Sequence, residues 1–395
     1  MTDIPLRLGF FGLLLLCQGY RDKLMKNLKI GFLLHFYQPW WQFSETLKNI
    51  VNQCYRPILN LVNESNGFCF TANINLSLLD HFLEKDFPDI REMFKEAARV
   101  GKIELVGSPA QHPIFPLIPE FLQRAQIEED EKRKENQFDI KRNCRGFYLP
   151  EMAFAKKDIG LLRECGYRWT VIDDKIFGAK NPGAVPFNHI ITYNGFKVFM
   201  RSRLWSNIIS FDHPAFDEFR FQLEHDIPSW TKGAPAYLII AMDAETFGHH
   251  PGNLFERFLK PMLLNWAGNK IVPIETIGQN FPTRSVSYLH DSSWSTELED
   301  LDRSNPYPLW KSRFNIYHLK LWELVEMAIE HFNHCREDCL KITSSCHWWW
   351  ISRNNWNPDF MKKGAKKAIE IVRQYDSPKE IADAEKIYKE LKELH

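Results

Sequence analysis

The feature that most constrains the fold of this chain is an alternation between short apolar runs and charged, amphipathic stretches, which continues to about residue 290. Eight of the runs have the length and the apolar character expected of strands. Helical patterns such as 117–141 and 154–165 lie between them, and this order is typical of βαβ units in a parallel sheet or barrel. We therefore predict an α/β barrel with strands at 28–34, 68–74, 102–107, 145–149, 168–173, 197–201, 236–242 and 271–276.

Beyond residue 290 the pattern changes to longer helical stretches, at 312–340 and 361–394. A change of this kind indicates a second structural region, since the length of 395 residues exceeds that of one average domain. We predict a barrel over residues 25–290 and a helical region over residues 291–395.

The first 24 residues are predicted to be an extension outside the fold. Arg7 precedes a short apolar run, as in a secretory signal, but bulky and polar residues follow it where a cleavage site needs small ones. The run is also too short to cross a bilayer. Because Met25 offers a second start that leads directly into the first strand, we expect a cytoplasmic protein, with a secreted form as the alternative.

Composition narrows the class of partner. Lys and Arg together number 50, as do Asp and Glu, so the chain lacks the basic excess of proteins that bind nucleic acid or anionic membranes. The thirteen Trp residues suit a protein that binds sugars, since the apolar faces of sugar rings stack on aromatic side chains. Filling of a large core is the alternative explanation, and we prefer it for the Phe residues.

The eight Cys residues are irregularly spaced and form no CxxC pair, which argues against a disulfide framework or a zinc ribbon. The densest group of thiols and imidazoles lies in a helical pattern, where buried reduced thiols are the simpler interpretation. The group consists of His331, His334, Cys335, Cys339, Cys346 and His347. We therefore predict that the protein binds no metal and needs no cofactor.

Polar side chains follow four of the predicted strands at the point where each strand ends. The active site of a (β/α) barrel lies at the carboxyl ends of its strands, so these side chains are expected at one rim. No one of these residues alone indicates a site, because most histidines of this kind are buried in the core and most carboxylates are exposed to solvent. Together they are the candidate site: His35, Gln38, His112, Glu151, Asp243 and Glu245.

Two of these carboxylates have the positions expected of an acid/base pair. Glu151 follows Pro150, whose fixed φ helps to orient a strand-end residue. Asp243 follows the apolar run AYLIIAM, so it either caps the next helix or takes part in chemistry, and the nearby Glu245 would raise the pKa of one member. Asp173 and Asp174 also end a strand, and we interpret them as substrate contacts or helix caps.

At these residues the sequence resembles glycoside hydrolase family 57, the family of amylopullulanases and 4-α-glucanotransferases. Five short motifs in the family's order carry the resemblance, and beyond residue 25 it extends over nearly the whole chain. The motifs are HFYQP (35–39), GSPAQHP (107–113), YLPE (148–151), DAETFG (243–248) and SCHWWW (345–350).

The resemblance implies an incomplete (β/α)7 barrel followed by a C-terminal helical bundle, and a retaining hydrolase or transglycosylase of α-glucans. It implies Glu151 as the nucleophile and Asp243 as the general acid/base, acting on an oligo- or polysaccharide without a cofactor. The two departures from the family's motifs are Tyr37, where a second histidine is usual, and Tyr148, where Trp is usual. The resemblance assigns substrate contacts to His35, Gln38, His112, Tyr148, Glu245, Trp348, Trp349 and Trp350.

Two other functions stay open on the sequence. A metal-dependent polysaccharide deacetylase uses a related barrel, but it needs an Asp and two histidines around one metal. The one close HxxH pair, His331 and His334, lies in the helical region and does not follow a strand. A catalytically silent glycan-binding protein is the third possibility, although both carboxylates are present. The sequence indicates neither the linkage nor the oligomeric state.

Overall fold

The computed structural model describes residues 28–84, 87–180, 187–231, 234–249, 253–353 and 355–394. The predicted extension at 1–24 lies outside the described residues. The strands, numbered in chain order, are β1 Leu28–Phe36, β2 Phe70–Ile74, β3 Ile103–Leu105, β4 Gly146–Phe147, β5 Trp169–Asp173, β6 Ile190–Tyr193, β7 Phe196–Arg201, β8 Ala236–Asp243, β9 Thr283–Ser285, β10 Ile351–Ser352 and β11 Asn355–Trp356.

The helices, numbered in the same way, are α1 Ser44–Ile50, α2 Arg56–Glu64, α3 Leu76–Glu84, α4 Pro88–Arg99, α5 Glu120–Phe138, α6 Ile159–Glu164, α7 Asp174–Lys180, α8 Arg203–Asn207, α9 Phe216–Thr231, α10 Lys260–Trp266, α11 Ile274–Asn280, α12 Leu298–Asp302, α13 Ile316–Ile329, α14 Arg336–Ile342, α15 Cys346–Trp349, α16 Pro358–Tyr375 and α17 Pro378–Lys392.

Seven parallel strands form the barrel, in the order β3-β2-β1-β8-β7-β5-β4. The ring closes between β4 and Gly107, the second residue after β3, because Gly107 donates to the Gly146 carbonyl at 3.0 Å and accepts from the Tyr148 amide at 2.8 Å. A Cβ at Gly107 would lie 2.1 Å from the Tyr167 hydroxyl, so only glycine fits at this seam. The predicted barrel of seven strands is confirmed.

The predicted eighth strand, 271–276, is wrong. Ile271 makes one parallel bridge to Ile30, and the chain then enters α11. Pro273 has no amide hydrogen for a strand ladder, and it precedes the first residue of the helix. The Glu104 carboxylate accepts hydrogen bonds from the Ile274 and Glu275 amides, at 3.0 and 3.1 Å, and so stabilises the helix in place of a strand.

The structure also has two strands that the sequence analysis missed. β6 is antiparallel to β7 and joined to it through Asn194 and Gly195, which both have positive φ, and β9 pairs with β6. An Asn-Gly pair between apolar runs is a strong signal for such a hairpin, so β6 was predictable. β9 is three exposed polar residues without a strand pattern.

Each long helical pattern of the C-terminal region is a pair of helices. The pattern at 312–340 divides into α13 and α14, and the pattern at 361–394 divides into α16 and α17. Ser377 and Glu380 form a capping box, and Pro378 is the first residue of α17, so a new helix begins there. Along the described ranges, no helix combines the length and apolarity needed to cross a bilayer.

The largest apolar core lies in the barrel, and a second core lies in the helical region. The second core also includes barrel residues from α5 and from loops at the carboxyl ends of the strands: Ile114, Ile118, Leu122, Ala125 and Ala153. β8 is buried along nearly all its length, as expected of a central strand in a parallel sheet. The turn before α15 contacts the loop after β3, where Ser345 donates its amide hydrogen to the His112 carbonyl at 2.9 Å. This contact brings side chains of the helical region to the rim of the barrel.

Candidate active site

A cavity of about 520 Å³ opens where the carboxyl ends of the barrel strands meet the helical region. It brings together six of the predicted site residues from four strand ends, which confirms that they share one rim. Aromatic side chains from both regions line the rest of the wall. The predicted residues that line the cavity are His35, Gln38, His112, Glu151, Asp243, Glu245, Trp349 and Trp350.

Glu151 lies in a tight turn that directs its carboxyl group into the cavity. Its φ is 58° and that of the next residue, Met152, is 47°, so both have left-handed backbone. This conformation is uncommon for residues other than glycine and costs of the order of 1–3 kcal/mol. The Trp294 amide donates to the Glu151 carbonyl at 3.2 Å, and Phe154 is bridged to Ser292, which together hold the turn.

Asp243 is the last residue of β8, in register with His35 on β1. Arg201, at the end of β7, is buried nearby and donates to Asp173 at 2.8 Å and to the Ala241 carbonyl at 2.8 Å. Asp173 therefore holds Arg201, and its neighbour Asp174 accepts from the Arg203 amide at 3.2 Å. Of the two roles considered for these aspartates, the structure favours the structural one, because neither lines the cavity.

The two candidate catalytic carboxyls interact. Burial raises the pKa of Glu151 to about 8, and the charge of Asp243 adds to the rise, while hydrogen bonds from Trp294 and Ser345 oppose it. Burial also raises the pKa of Asp243, and the positive charge of Arg201 opposes that rise. Since each charge disfavours the other, the pair retains one proton near neutral pH, as an acid/base pair requires.

Glu245 is a third carboxyl group in the cavity, two residues after Asp243. Its Oε1 accepts hydrogen bonds from the Tyr55 hydroxyl and, at 2.7 Å, from Gln38 Nε2. Burial raises its pKa, and the charge of Asp243 adds to this effect. Glu245, Tyr55 and Gln38 are thus held by one network.

The two predicted histidines contact each other in the wall of the cavity. His35 Nε2 lies 3.0 Å from His112 Nε2, His35 Nδ1 lies 2.6 Å from Asn73 Oδ1, and His112 Nδ1 lies 2.8 Å from Ser345 Oγ. Burial lowers the pKa of His35 to about 3 and that of His112 well below its usual value, so both rings are neutral. All four ring nitrogens have protein partners. The Tyr148 ring stacks on His35 at 4.6 Å, and its side chain is buried behind the cavity wall.

The three consecutive tryptophans do not share one role. Trp349 and Trp350 line the cavity with their rings nearly perpendicular. Trp348 is 0% exposed, stacks on Trp322 with ring centroids 4.0 Å apart, and belongs to the core of the helical region. Its assignment as a substrate contact was wrong, because successive helical residues point about 100° apart and only part of the run faces the cavity.

Several cavity residues were not predicted as site residues. Trp41 is the second residue after the first motif and stacks on His347 at 4.4 Å, so the strand-end argument would have reached it. Tyr37 stacks on His112 at 3.8 Å, and its hydroxyl contacts Ser344 and Cys346. Trp294 and Ser345 reach Glu151 from distant parts of the chain, and no local pattern marks Trp294.

The group of thiols and imidazoles in the helical region is spread over different partners. His331 pairs with Asp376 at 2.7 Å, whereas Cys335 and Cys339 contact each other at 3.5 Å. His347 stacks on Trp41 instead of joining them. Across the described ranges, no three such side chains are grouped in a way that fits a metal ion.

Comparison with protein families matches residues 26–290 to the family model described as glycosyl hydrolase family 57. Among curated proteins, an α-amylase of Pyrococcus abyssi is 26% identical over 153 residues, which is 39% of this chain and 23% of that protein. The aligned part thus spans about a quarter of the curated relatives' length.

Solved structures with the same fold align over most of the chain. The crystal structure of a 4-α-glucanotransferase from Thermococcus litoralis has a TM-score of 0.71 at 18% identity, and covers 88% of this chain and 60% of that one. A branching enzyme from Thermococcus kodakaraensis has a TM-score of 0.67 at 14% identity, with 93% and 96% covered. At these identities the structures establish the likeness of fold.

Proposed function

Because this chain belongs to glycosyl hydrolase family 57, we propose that it cleaves α-glucans with retention of the anomeric configuration. The single observation that carries the proposal is the meeting of Glu151 and Asp243 in one cavity lined by aromatic rings. The names of its relatives, α-amylase and 4-α-glucanotransferase, give the class of substrate. Trp349, Trp350 and Trp41 supply the surfaces on which sugar rings stack.

In the first step the Glu151 carboxylate attacks the anomeric carbon as Asp243 gives its proton to the glycosidic oxygen. The bond between that carbon and oxygen breaks, and the sugar remains as an ester on Glu151. In the second step Asp243 removes a proton from water or from a sugar hydroxyl, whose oxygen attacks the anomeric carbon and releases Glu151. Asp243 regains its proton for the next cycle.

The pKa values of the two carboxyl groups bear on which of them carries the proton. Since the pKa of Glu151 is about 8, the shared proton lies on Glu151 in most molecules at neutral pH, whereas the reaction needs it on Asp243. The positive charge that develops at the anomeric carbon favours an ionised Glu151 and so moves the proton to Asp243. The active protonation state is therefore a minor one in the free protein.

The deacetylase alternative has little support. It needs histidine nitrogens free to bind a metal, and all four ring nitrogens of His35 and His112 are occupied by protein atoms. The chain's membership of the family also favours glycoside chemistry. Turnover that is lost with EDTA and restored by zinc would support the deacetylase.

The test of the proposal is incubation of the purified protein with maltoheptaose, with the products resolved by size. Products shorter than the substrate alone indicate hydrolysis, and longer products indicate transfer to another sugar. The Glu151→Gln variant is the control for contaminating activity. No change in chain length, together with a rise in melting temperature on adding the sugar, would instead support a silent glycan-binding protein.

A further inference from the structure

Ser345 connects the nucleophile candidate Glu151 to the buried histidine pair. Its Oγ lies 3.4 Å from Glu151 Oε1 and 2.8 Å from His112 Nδ1. Beyond His112, contacts at 3.0 and 2.6 Å continue the chain through His35 to Asn73. The series of four residues Asn73–His35–His112–Ser345, here called the buried chain, therefore ends at the carboxyl group.

The hydrogen bonds of the buried chain can run in only two directions. A neutral imidazole has one nitrogen that donates and one that accepts, and a hydroxyl has one hydrogen to donate. If the Asn73 carbonyl faces His35, then His35 Nδ1 donates to it and His112 Nε2 donates to His35. Ser345 must then donate to His112, so its oxygen can bond Glu151 only by accepting a hydrogen from a protonated carboxyl.

If the Asn73 amide nitrogen faces His35, every link is reversed. His35 Nε2 then donates to His112, His112 Nδ1 donates to Ser345, and Ser345 donates its hydrogen to an ionised Glu151. The described orientation has the carbonyl towards His35, and Asn73 Nδ2 is buried without a hydrogen-bond partner. A rotation of the Asn73 amide by 180° would exchange Oδ1 and Nδ2, and it would break no hydrogen bond made by Nδ2.

We infer that the buried chain reverses its direction when Glu151 ionises, and that Ser345 and Asn73 are positioning residues for the nucleophile. When Glu151 is protonated, the hydrogen bonds run in the direction in which the Asn73 carbonyl accepts from His35. When Glu151 is ionised, they run in the opposite direction. The buried chain gives the carboxylate a hydrogen bond at the moment it must attack. The inference rests on the proposed function only for the role of Glu151.

The other groups that face Glu151 do not replace this contact. Asp243 faces it from β8 and opposes its ionisation, whereas Trp294 donates to it from the loop after β9. Tyr37, Tyr148 and Cys346 also lie close enough to interact with its charge, and burial raises the pKa of all three, so they remain neutral. Arg201 donates to Asp173 at 2.8 Å, and its positive charge opposes the rise in the pKa of Asp243.

The direct test is the tautomer of His112, read by NMR of protein labelled with ¹⁵N-histidine as the pH is raised through the titration of Glu151. We expect the hydrogen on Nε2 below that titration and on Nδ1 above it. Glu151→Gln should abolish the change. His318 is an internal control, because its Nδ1 accepts from the Ser312 amide and its Nε2 contacts the Trp348 carbonyl, which fixes its tautomer. This measurement needs no sugar, so it does not depend on the proposed activity.

A variant of Ser345 gives an independent reading. Ser345→Ala removes the donor to the carboxylate and should raise the pKa of Glu151, which moves the alkaline limb of kcat/KM to higher pH. If the pKa of Asp243 stays the same, each unit by which the pKa of Glu151 rises lowers kcat/KM at neutral pH about tenfold, because the ionised fraction of Glu151 falls.

Ser344→Ala is the matched control, since it removes a neighbouring buried hydroxyl that contacts Tyr37 and not Glu151. It should leave the alkaline limb where it is in the unmodified protein. A single tautomer of His112 across the whole titration would overturn the inference, and so would equal shifts of the limb in Ser344→Ala and Ser345→Ala.

Discussion

The barrel rim and the helical region both supply side chains to the cavity, but they do so in different ways. Glu151 and Asp243 come from the ends of barrel strands, where parallel pairing determines which residues meet. Trp349 and Trp350 come from a short helix that reaches the rim through a loop contact at His112. Under the proposed function, the barrel would supply the catalytic groups, and the helical region would shape the surface that the sugar contacts.

Burial of side chains also has different consequences in the two regions. In the barrel, burial raises the pKa of Glu151 and Asp243, so part of the fold's stability is given up to keep these acids buried. In the helical region, burial of Trp348 against Trp322 stabilises the fold without contact to the cavity. Substitutions in the two regions should therefore separate catalysis from folding.

The largest effect is expected from the carboxyl groups at the rim. Glu151→Gln and Asp243→Asn should each lower kcat on an α-glucan by about 10²–10⁴-fold, because each removes a group that takes part in bond cleavage. The measurement is the initial rate of product formation from maltoheptaose. Asp174→Asn is the matched control, a strand-end carboxyl outside the cavity, and it should retain most of the activity. Activity near that of the unmodified protein in either rim variant would remove that residue from the mechanism.

The tryptophans test the comparison within one short segment. Trp348→Ala should lower the free energy of unfolding by about 3–5 kcal/mol, since it leaves a hole in a packed core. Trp349→Ala and Trp350→Ala should instead raise KM, with smaller losses of stability, because their rings face the cavity. Denaturant unfolding and steady-state kinetics on the same three variants measure both quantities. If all three lost stability equally and none changed KM, the stacking surface would have to lie elsewhere.

The pH dependence of kcat/KM should be bell-shaped. Glu151 must be ionised and Asp243 protonated, and the pKa of Glu151 is the higher of the two, so the limbs lie at both pKa values and the plateau lies between them. The alkaline limb is expected near pH 8, where Glu151 loses its proton. A profile that rises steadily beyond pH 9 would contradict the requirement for a protonated acid.

A smaller effect is expected on stability. The pKa of Glu151 is raised from 4.5 to about 8 on folding, so between these values the folded state holds a proton that the unfolded state has lost. Stability therefore falls as the pH rises through this window, and Glu151→Gln should remove that part of the fall. Melting temperatures of the variant and the unmodified protein at pH 4.5 and pH 8 provide the test. An equal difference at both values would show that Glu151 does not titrate on folding.

The sequence predicted best what local pattern controls. Strand ends revealed the six polar rim residues, since an apolar run and the residue after it are adjacent in the chain. It predicted less well what depends on distant contacts. Trp294 and Ser345 reach Glu151 through loops whose course depends on packing between the two regions, and Glu104 caps α11 across a long separation in sequence. The break between α16 and α17 could be predicted from Ser377 and Pro378. Which of the three consecutive tryptophans faces the cavity depends on the orientation of α15 in the fold, which the sequence does not give.

The configuration of the first product tests the central claim most directly, because a covalent intermediate on Glu151 gives retention, whereas direct attack by water gives inversion. The claim implies carboxyl groups about 5–5.5 Å apart across the cleaved bond, in contrast to about 6.5–9.5 Å in an inverting enzyme. ¹H NMR of a reaction with maltoheptaose, recorded before the product mutarotates, distinguishes the two outcomes. The α-anomer as the first-formed product is the result we predict. The β-anomer as the first-formed product would show that Glu151 is not the nucleophile.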